Sequence, residues 1–144
     1  MKNLFFILLI TMLTACENST TEKTKIESPS MLHNDRLEVY AFHGTRQCET
    51  CKHMKTYTKA TLEKHFKNEL KSGEIVYAVI DVDDETNAEL AEKYEATGTA
   101  LMINRVKNGK EKIEDWSDFA FEYALGDQKD YELEFKKMIE EKMK

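Results

Sequence analysis

Cysteine occurs three times in the chain, and two of the three form the tetrapeptide Cys48-Glu49-Thr50-Cys51. Two thiols one helical turn apart suit two-step thiol–disulfide exchange. One sulfur attacks as a thiolate, and the other then attacks the mixed disulfide that forms. Cys48 falls where an extended segment hands over to a helix, so the free N–H groups and dipole of a helix start are expected to favour its thiolate. Arg46 and His43 add positive potential, and Glu49 opposes it. The same stretch has a rival reading as a soft-metal site, because Cys48, Cys51, His53 and Met54 offer two thiolates, an imidazole and a thioether within one loop and turn. Against it, Met54 opens the apolar stripe of a helix and His53 reads as a solvated helix residue. A four-cysteine zinc site lacks its second pair. Covalent haem attachment needs a histidine directly after the second cysteine, where Lys52 stands. Redox exchange without a cofactor is the expected chemistry; the alternative is a non-catalytic binding module that uses the same loop as a docking surface or for copper at Cys48, Cys51 and His53.

The remaining cysteine belongs to a different feature. The chain opens MKNLFFILLITMLTAC, with one lysine, an apolar run over residues 4–13, and small residues ahead of Cys16. A membrane span needs ~20 apolar residues, so this shorter run fits a signal-peptide core instead. Leu13-Thr14-Ala15-Cys16 resembles the bacterial lipobox. That resemblance implies a diacylglyceryl group on the Cys16 thiol and cleavage that leaves Cys16 as the new N-terminus. Two acyl chains hold a protein on a membrane, where one comes off readily. Residues 17–35 are rich in Ser, Thr, Asn and charge, lack hydrophobic periodicity and hold the only proline, Pro29, so they read as a tether. His33, within it, has no assigned role. The expected organisation is a leader over residues 1–15, a lipidated tether over 16–35 and one domain over 36–144, outside the cytoplasm.

At 144 residues, 33% charged and 41% hydrophobic, the chain suits one packed domain plus a tail. Asp and Glu number 27 against 21 Lys and Arg. The formal charge of -6 leaves no basic footprint for phosphates, and nucleic acid is set aside as a partner.

The elements that must position the cysteines can be read from periodicity. Residues 37–42 (LEVYAF) carry apolar side chains on both faces, which predicts a central strand. From residue 51, Met54, Thr58, Leu62, Phe66 and Leu70 recur every fourth position opposite a lysine-rich face, predicting one long amphipathic helix stopped by Ser72-Gly73. Residues 75–82 (IVYAVIDV) predict a second buried strand, and residues 85–94 a short helix. Two short strands flank Asn108-Gly109, the strongest local hairpin signal. Helices follow over residues 116–125 and from about residue 128, the second with Tyr131, Phe135, Met138 and Ile139 on one stripe. The aromatic cluster of Trp116, Phe119, Phe121 and Tyr123 reads as helix packing, and His65 as a half-buried flank residue. The acidic stretch 81–85 (DVDDE) lacks calcium-loop spacing and reads as a strand end and helix start. The order β-α-β-α-β-β-α predicts an α/β fold with a four-stranded mixed sheet and helices on both faces. Its two strand-helix-strand units are expected to be parallel.

This order, with a Cys-x-x-Cys after the first strand, resembles the thioredoxin superfamily over essentially all of residues 36–144. More narrowly, FHGTRQCETCK and DWSDFAFEYA resemble a group of small extracytoplasmic thioredoxin-like proteins, the nitrophenyl compound nitroreductase subunit ArsF family. The resemblance implies a redox pair with Cys48 as nucleophile and Cys51 as resolving thiol, acting on a protein disulfide or dithiol partner. No flavin or nicotinamide site is visible. Two departures stand out. Thioredoxins place a cis-proline in the substrate loop after a glycine and one further residue, but here Gly98-Thr99 is followed by Ala100. A non-proline cis bond costs ~2.5–4 kcal/mol, so Thr99 and Ala100 should form a trans, altered substrate loop. The buried acid six residues before the first cysteine is replaced by Phe42, which leaves His43 as the nearest group for proton transfer.

Overall fold

The computed structural model describes residues 35–144. The leader, Cys16 and the tether up to residue 34 lie outside the described residues. β1 (Arg36–His43) leads through a five-residue loop into α1 (Glu49–His65), followed by α2 (Lys67–Ser72) and β2 (Ile75–Asp81). A single 3-10 turn over Glu85–Asn87 precedes α3 (Ala88–Lys93). β3 (Ala100–Lys107), β4 (Lys110–Asp115), α4 (Ser117–Ala124) and α5 (Gln128–Lys142) complete the domain. The sheet order is β2-β1-β3-β4, a four-stranded mixed sheet. With helices on both of its faces, the fold is α/β and thioredoxin-like.

β1 is central, parallel to β2 and antiparallel to β3. Its alternation feeds two cores. Leu37, Val39 and Ala41 pack with Ile75, Leu101 and Ile103 beneath Met54 and Leu62 of α1, Ala120 and Ala124 of α4, and Tyr131, Phe135 and Ile139 of α5. On the opposite face Phe42, Ile80 and Met102 meet Ala91 of α3 and Tyr94. Trp116 meets the Phe135 ring edge-on at 6.2 Å, and Phe119 stacks on Phe135 at 6.1 Å, so the aromatic cluster is helix packing. His65 is half-buried, 2.7 Å from Oε1 of Glu132, and joins the end of α1 to α5. At the hairpin, Asn108 and Gly109 both have positive φ, 52° and 72°, the requirement of a type I′ turn.

Three expectations need correction. Only the first strand-helix-strand unit is parallel, because β3 runs back beside β1. α3 has six residues and rises about 9 Å, too little to carry the chain back along a seven-residue strand of about 23 Å. β3 therefore starts at the end of the sheet where β2 finishes, with Ala100 opposite Phe42. The long helix is two helices, broken at Phe66 (φ -128°, ψ 32°), whose ring is buried in the core. β2 is an edge strand rather than a buried one, and Val79 is 44% exposed. An apolar, β-branched run has the same pattern at an edge as in the centre of a sheet.

Candidate functional site

The two cysteines stand where β1 hands over to α1. Cys48 is the N-cap of α1, with extended backbone, and its Sγ accepts a hydrogen bond from the backbone N–H of Cys51 at 3.1 Å. A sulfur in this position lies against the free N–H groups of the helix start, which favour negative charge there. Cys48 and Cys51 are joined as a disulfide, with Cα atoms 5.1 Å apart. Cys48 is exposed and Cys51 is 8% exposed. One sulfur is thus open to a partner and the other is set into the helix base. Glu49 opposes a thiolate less than its charge alone suggests, because the Lys52 ammonium donates to it at 2.6 Å and holds its carboxyl below the usual range.

The loop of residues 44–48 is tied down at several points that sequence reading missed. Asp83, in the turn after β2, accepts from the backbone N–H and the hydroxyl of Thr45, each at 2.7 Å. Those bonds lower the Asp83 pKa, with a further contribution from His43. Gly44 allows this approach, since a Cβ there would lie 3.2 Å from Oδ2 of Asp83. The Val82 N–H donates to the His43 carbonyl at 2.8 Å. Gln47 Nε2 lies 3.2 Å from His43 Nδ1, and its Oε1 accepts from Lys55 of α1. Partial burial lowers the pKa of Lys55, and Asp81 counteracts this. Thr45 and Asp83 are 38 residues apart, and nothing local in the sequence links them. The density of carboxylates in DVDDE was the only visible hint.

Thr99 and Ala100 stand at the same end of the sheet as the loop of residues 44–48, with Ala100 paired to Phe42, one residue before His43. Their peptide bond is trans. They line a cleft of about 400 Å³ together with Thr97, Gly98, Asp115 and Ser117. Phe42 is fully buried on the α3 side of the sheet. His53 is exposed, stacked on Tyr57 at 5.2 Å, with Nδ1 3.3 Å from the Ala124 carbonyl. Met54 is fully buried in the main core. Among the described residues no three Cys, His, Asp or Glu side chains are grouped as a metal site.

A thioredoxin-like domain with a Cys-x-x-Cys disulfide at the start of its first helix is the class that this fold and site define. No protein-family model matches the chain, and no curated protein matches it. It is similar to a solved structure titled "Structure of a malarial protein", at 18% identity and a TM-score of 0.39, over 62% of this chain and 93% of that one. A likeness of that size carries no argument about fold or function.

Proposed function

We propose that the protein is a membrane-anchored, extracytoplasmic thiol–disulfide oxidoreductase that acts on a protein partner through Cys48 and Cys51. The observation that carries this reading is the Cys48–Cys51 bond at the first turn of α1, with Cys48 exposed and Cys51 buried. In the reduced protein, the Cys48 thiolate attacks a partner disulfide. An S–S bond forms between Cys48 and the partner, the partner's own S–S bond breaks, and the departing thiolate takes up a proton. Cys51, once deprotonated, attacks Sγ of Cys48, which closes the protein's disulfide and expels the second partner thiol. Two electrons and two protons pass to the partner. Run backwards, the same steps oxidise a partner dithiol, and no organic cofactor enters in either direction. The trans loop at Ala100, and Phe42 in place of a buried acid, argue for a narrow set of partners rather than broad reductase activity. Lipid on Cys16 would hold the domain near membrane-bound partners through the tether.

The test is reduction of a protein disulfide by the purified protein with dithiothreitol as donor, beside Cys48→Ser and Cys51→Ser. Turnover is expected in the wild type and absent in Cys48→Ser. Cys51→Ser should accumulate a mixed disulfide on Cys48, because nothing resolves it. Turnover that survives Cys48→Ser would sink the proposal.

A further inference from the structure

Gln47 directly precedes Cys48, and its side chain is gripped from two sides. An ammonium has only donors, so the Lys55 contact must fall on the amide oxygen of Gln47, and this leaves Nε2 directed at His43. An amide NH₂ group only donates. Nδ1 of His43, 3.2 Å away, can accept from it only when that nitrogen carries no proton. The same Nδ1 lies 3.0 Å from the carbonyl oxygen of Gly44, which also only accepts. In the Nε2–H tautomer, the one that can accept from Gln47, two lone pairs face each other across that gap. A proton on Nδ1 turns the gap into a hydrogen bond to Gly44 and at the same time sets a donor against the donor of Gln47. One nitrogen has two mutually exclusive partners, and a proton selects between them.

The charged groups around His43 come from three places. Asp81 is its cross-strand partner on β2, Asp83 lies in the turn after β2, and Lys55 reaches in from α1 through Gln47. Of these side-chain types only an imidazole ordinarily changes charge between about pH 5 and 8. We propose that Gln47 is a positioning residue for Cys48, clamped between Lys55 and His43, and that a proton on His43 opens the clamp and makes the redox loop sensitive to pH. The inference rests on the thiol-exchange reading and concerns the regulation of that site.

The full chain, oxidised, is reduced with a trialkylphosphine at about pH 5 and about pH 8, for the wild type, Gln47→Met and Gln47→Glu. The ratio of variant to wild-type rate at one pH removes the reagent's own pH dependence. Attack on the disulfide needs the incoming atom in line with the S–S bond, and a loop released ahead of Cys48 holds that geometry less of the time. Gln47→Met is expected to be about fivefold slower than wild type at the higher pH, the worth of one modest hydrogen bond. At the lower pH, where the wild type has lost the His43 contact and keeps only that of Lys55, the gap between the two rates should narrow. Gln47→Glu should invert the pattern, because its carboxylate accepts from Lys55 and from a charged His43 but offers no donor to the neutral ring. It should be slower than wild type at the higher pH and faster at the lower. Ratios that do not change with pH overturn the switch, and ratios of one throughout overturn the positioning role. If Gln47→Met does not fold, the inversion in Gln47→Glu decides alone. Protein-disulfide turnover on the same wild-type preparation is read separately. Its absence, with the expected ratios intact, removes the exchange reading and leaves the clamp standing.

Discussion

Replacing Tyr94 by Phe removes one oxygen from the face of the sheet opposite α1, and its cost can be worked from the contacts there. Glu38 is buried at 5% exposure on β1, and its carboxylate accepts three hydrogen bonds beside an ion-pair contact with Arg36. Oε1 takes Nε of Arg36 at 2.7 Å and Nη2 of Arg36 at 2.6 Å, while Oε2 takes the Tyr94 hydroxyl and Nδ2 of Asn104, each at 2.8 Å. Burial, then the Glu38 carboxylate, raises the Tyr94 pKa far above its ordinary value, which keeps the hydroxyl a donor at all working pH. Phe keeps the ring contacts with Tyr40 at 5.3 Å and Phe42 at 5.6 Å, so no cavity opens. What is lost is a hydrogen bond to a charged acceptor, worth about 1.5–3 kcal/mol, and the two remaining donors with the Arg36 ion pair place the loss near 1.5–2 kcal/mol. For a domain of this size that is a fall of about 7 °C in Tm. Urea unfolding with the disulfide intact, followed by fluorescence of Trp116, the only tryptophan, measures it. In a double-mutant cycle with Glu38→Met, the pair should couple by about 1.5 kcal/mol, because the partner of the missing hydroxyl is then also gone. A Tyr94→Phe loss below about 0.5 kcal/mol, or a coupling near zero, refutes the reasoning.

Glu114 accepts from Lys112 at 2.8 Å, Lys142 at 2.6 Å and the Trp116 indole at 3.3 Å, and these partners push its pKa down to about 2. A lowered folded pKa means stability present above the ordinary 4.5 and lost as pH falls toward about 2. Glu114→Gln should therefore destabilise the protein near neutrality, by at most about 1 kcal/mol given its partial exposure, and make no difference near pH 2. Urea midpoints of both proteins across that range check this, and a gap that is constant with pH refutes it. If Cys16 carries the proposed lipid, Cys16→Ser should abolish incorporation of labelled fatty acid and move the protein from the membrane to the soluble fraction. Continued membrane retention would remove lipidation as the means of attachment.

The sequence showed where the two sulfurs belong, because a strand followed by an amphipathic stripe leaves one place for a helix start, and Cys48 occupies it. Asn108-Gly109 and the stripe of Tyr131, Phe135 and Ile139 were equally plain, since each is a local pattern. The direction of β3 was not, because it depends on how far residues 82–99 travel rather than on periodicity. Glu38 was visible only as the one charge in an apolar strand. Its burial depends on Tyr94 and Asn104, which lie 56 and 66 residues further on. The tie between Thr45 and Asp83 escaped for the same reason, since the two are 38 residues apart. Gln47, Thr45 and Asp83 are ordinary polar residues until the fold brings them within hydrogen-bond reach of one another's loops.

The alternation of β1 separates stability from reactivity, and the two sulfurs inherit a further separation. Glu38, Tyr40 and Phe42 serve the α3 side, so the ion-paired network there can change without reaching the disulfide. Cys51 is fixed through α1, which Tyr77 meets by donating to the Lys55 carbonyl at 3.2 Å and which Tyr131 of α5 meets at the Thr58 hydroxyl at 2.7 Å. Cys48 caps α1, its carbonyl accepting from the Lys52 N–H at 3.1 Å, and is held in addition through its loop by Asp83, Val82, Lys55 and His43. Breaking the S–S bond therefore parts two differently held pieces of chain. Cys51 stays set in a packed helix, while the position of Cys48 depends more on the polar contacts of its loop. The proposed two-step exchange draws on that asymmetry, because in it Cys48 joins a partner and is then reached by a thiol that has not moved.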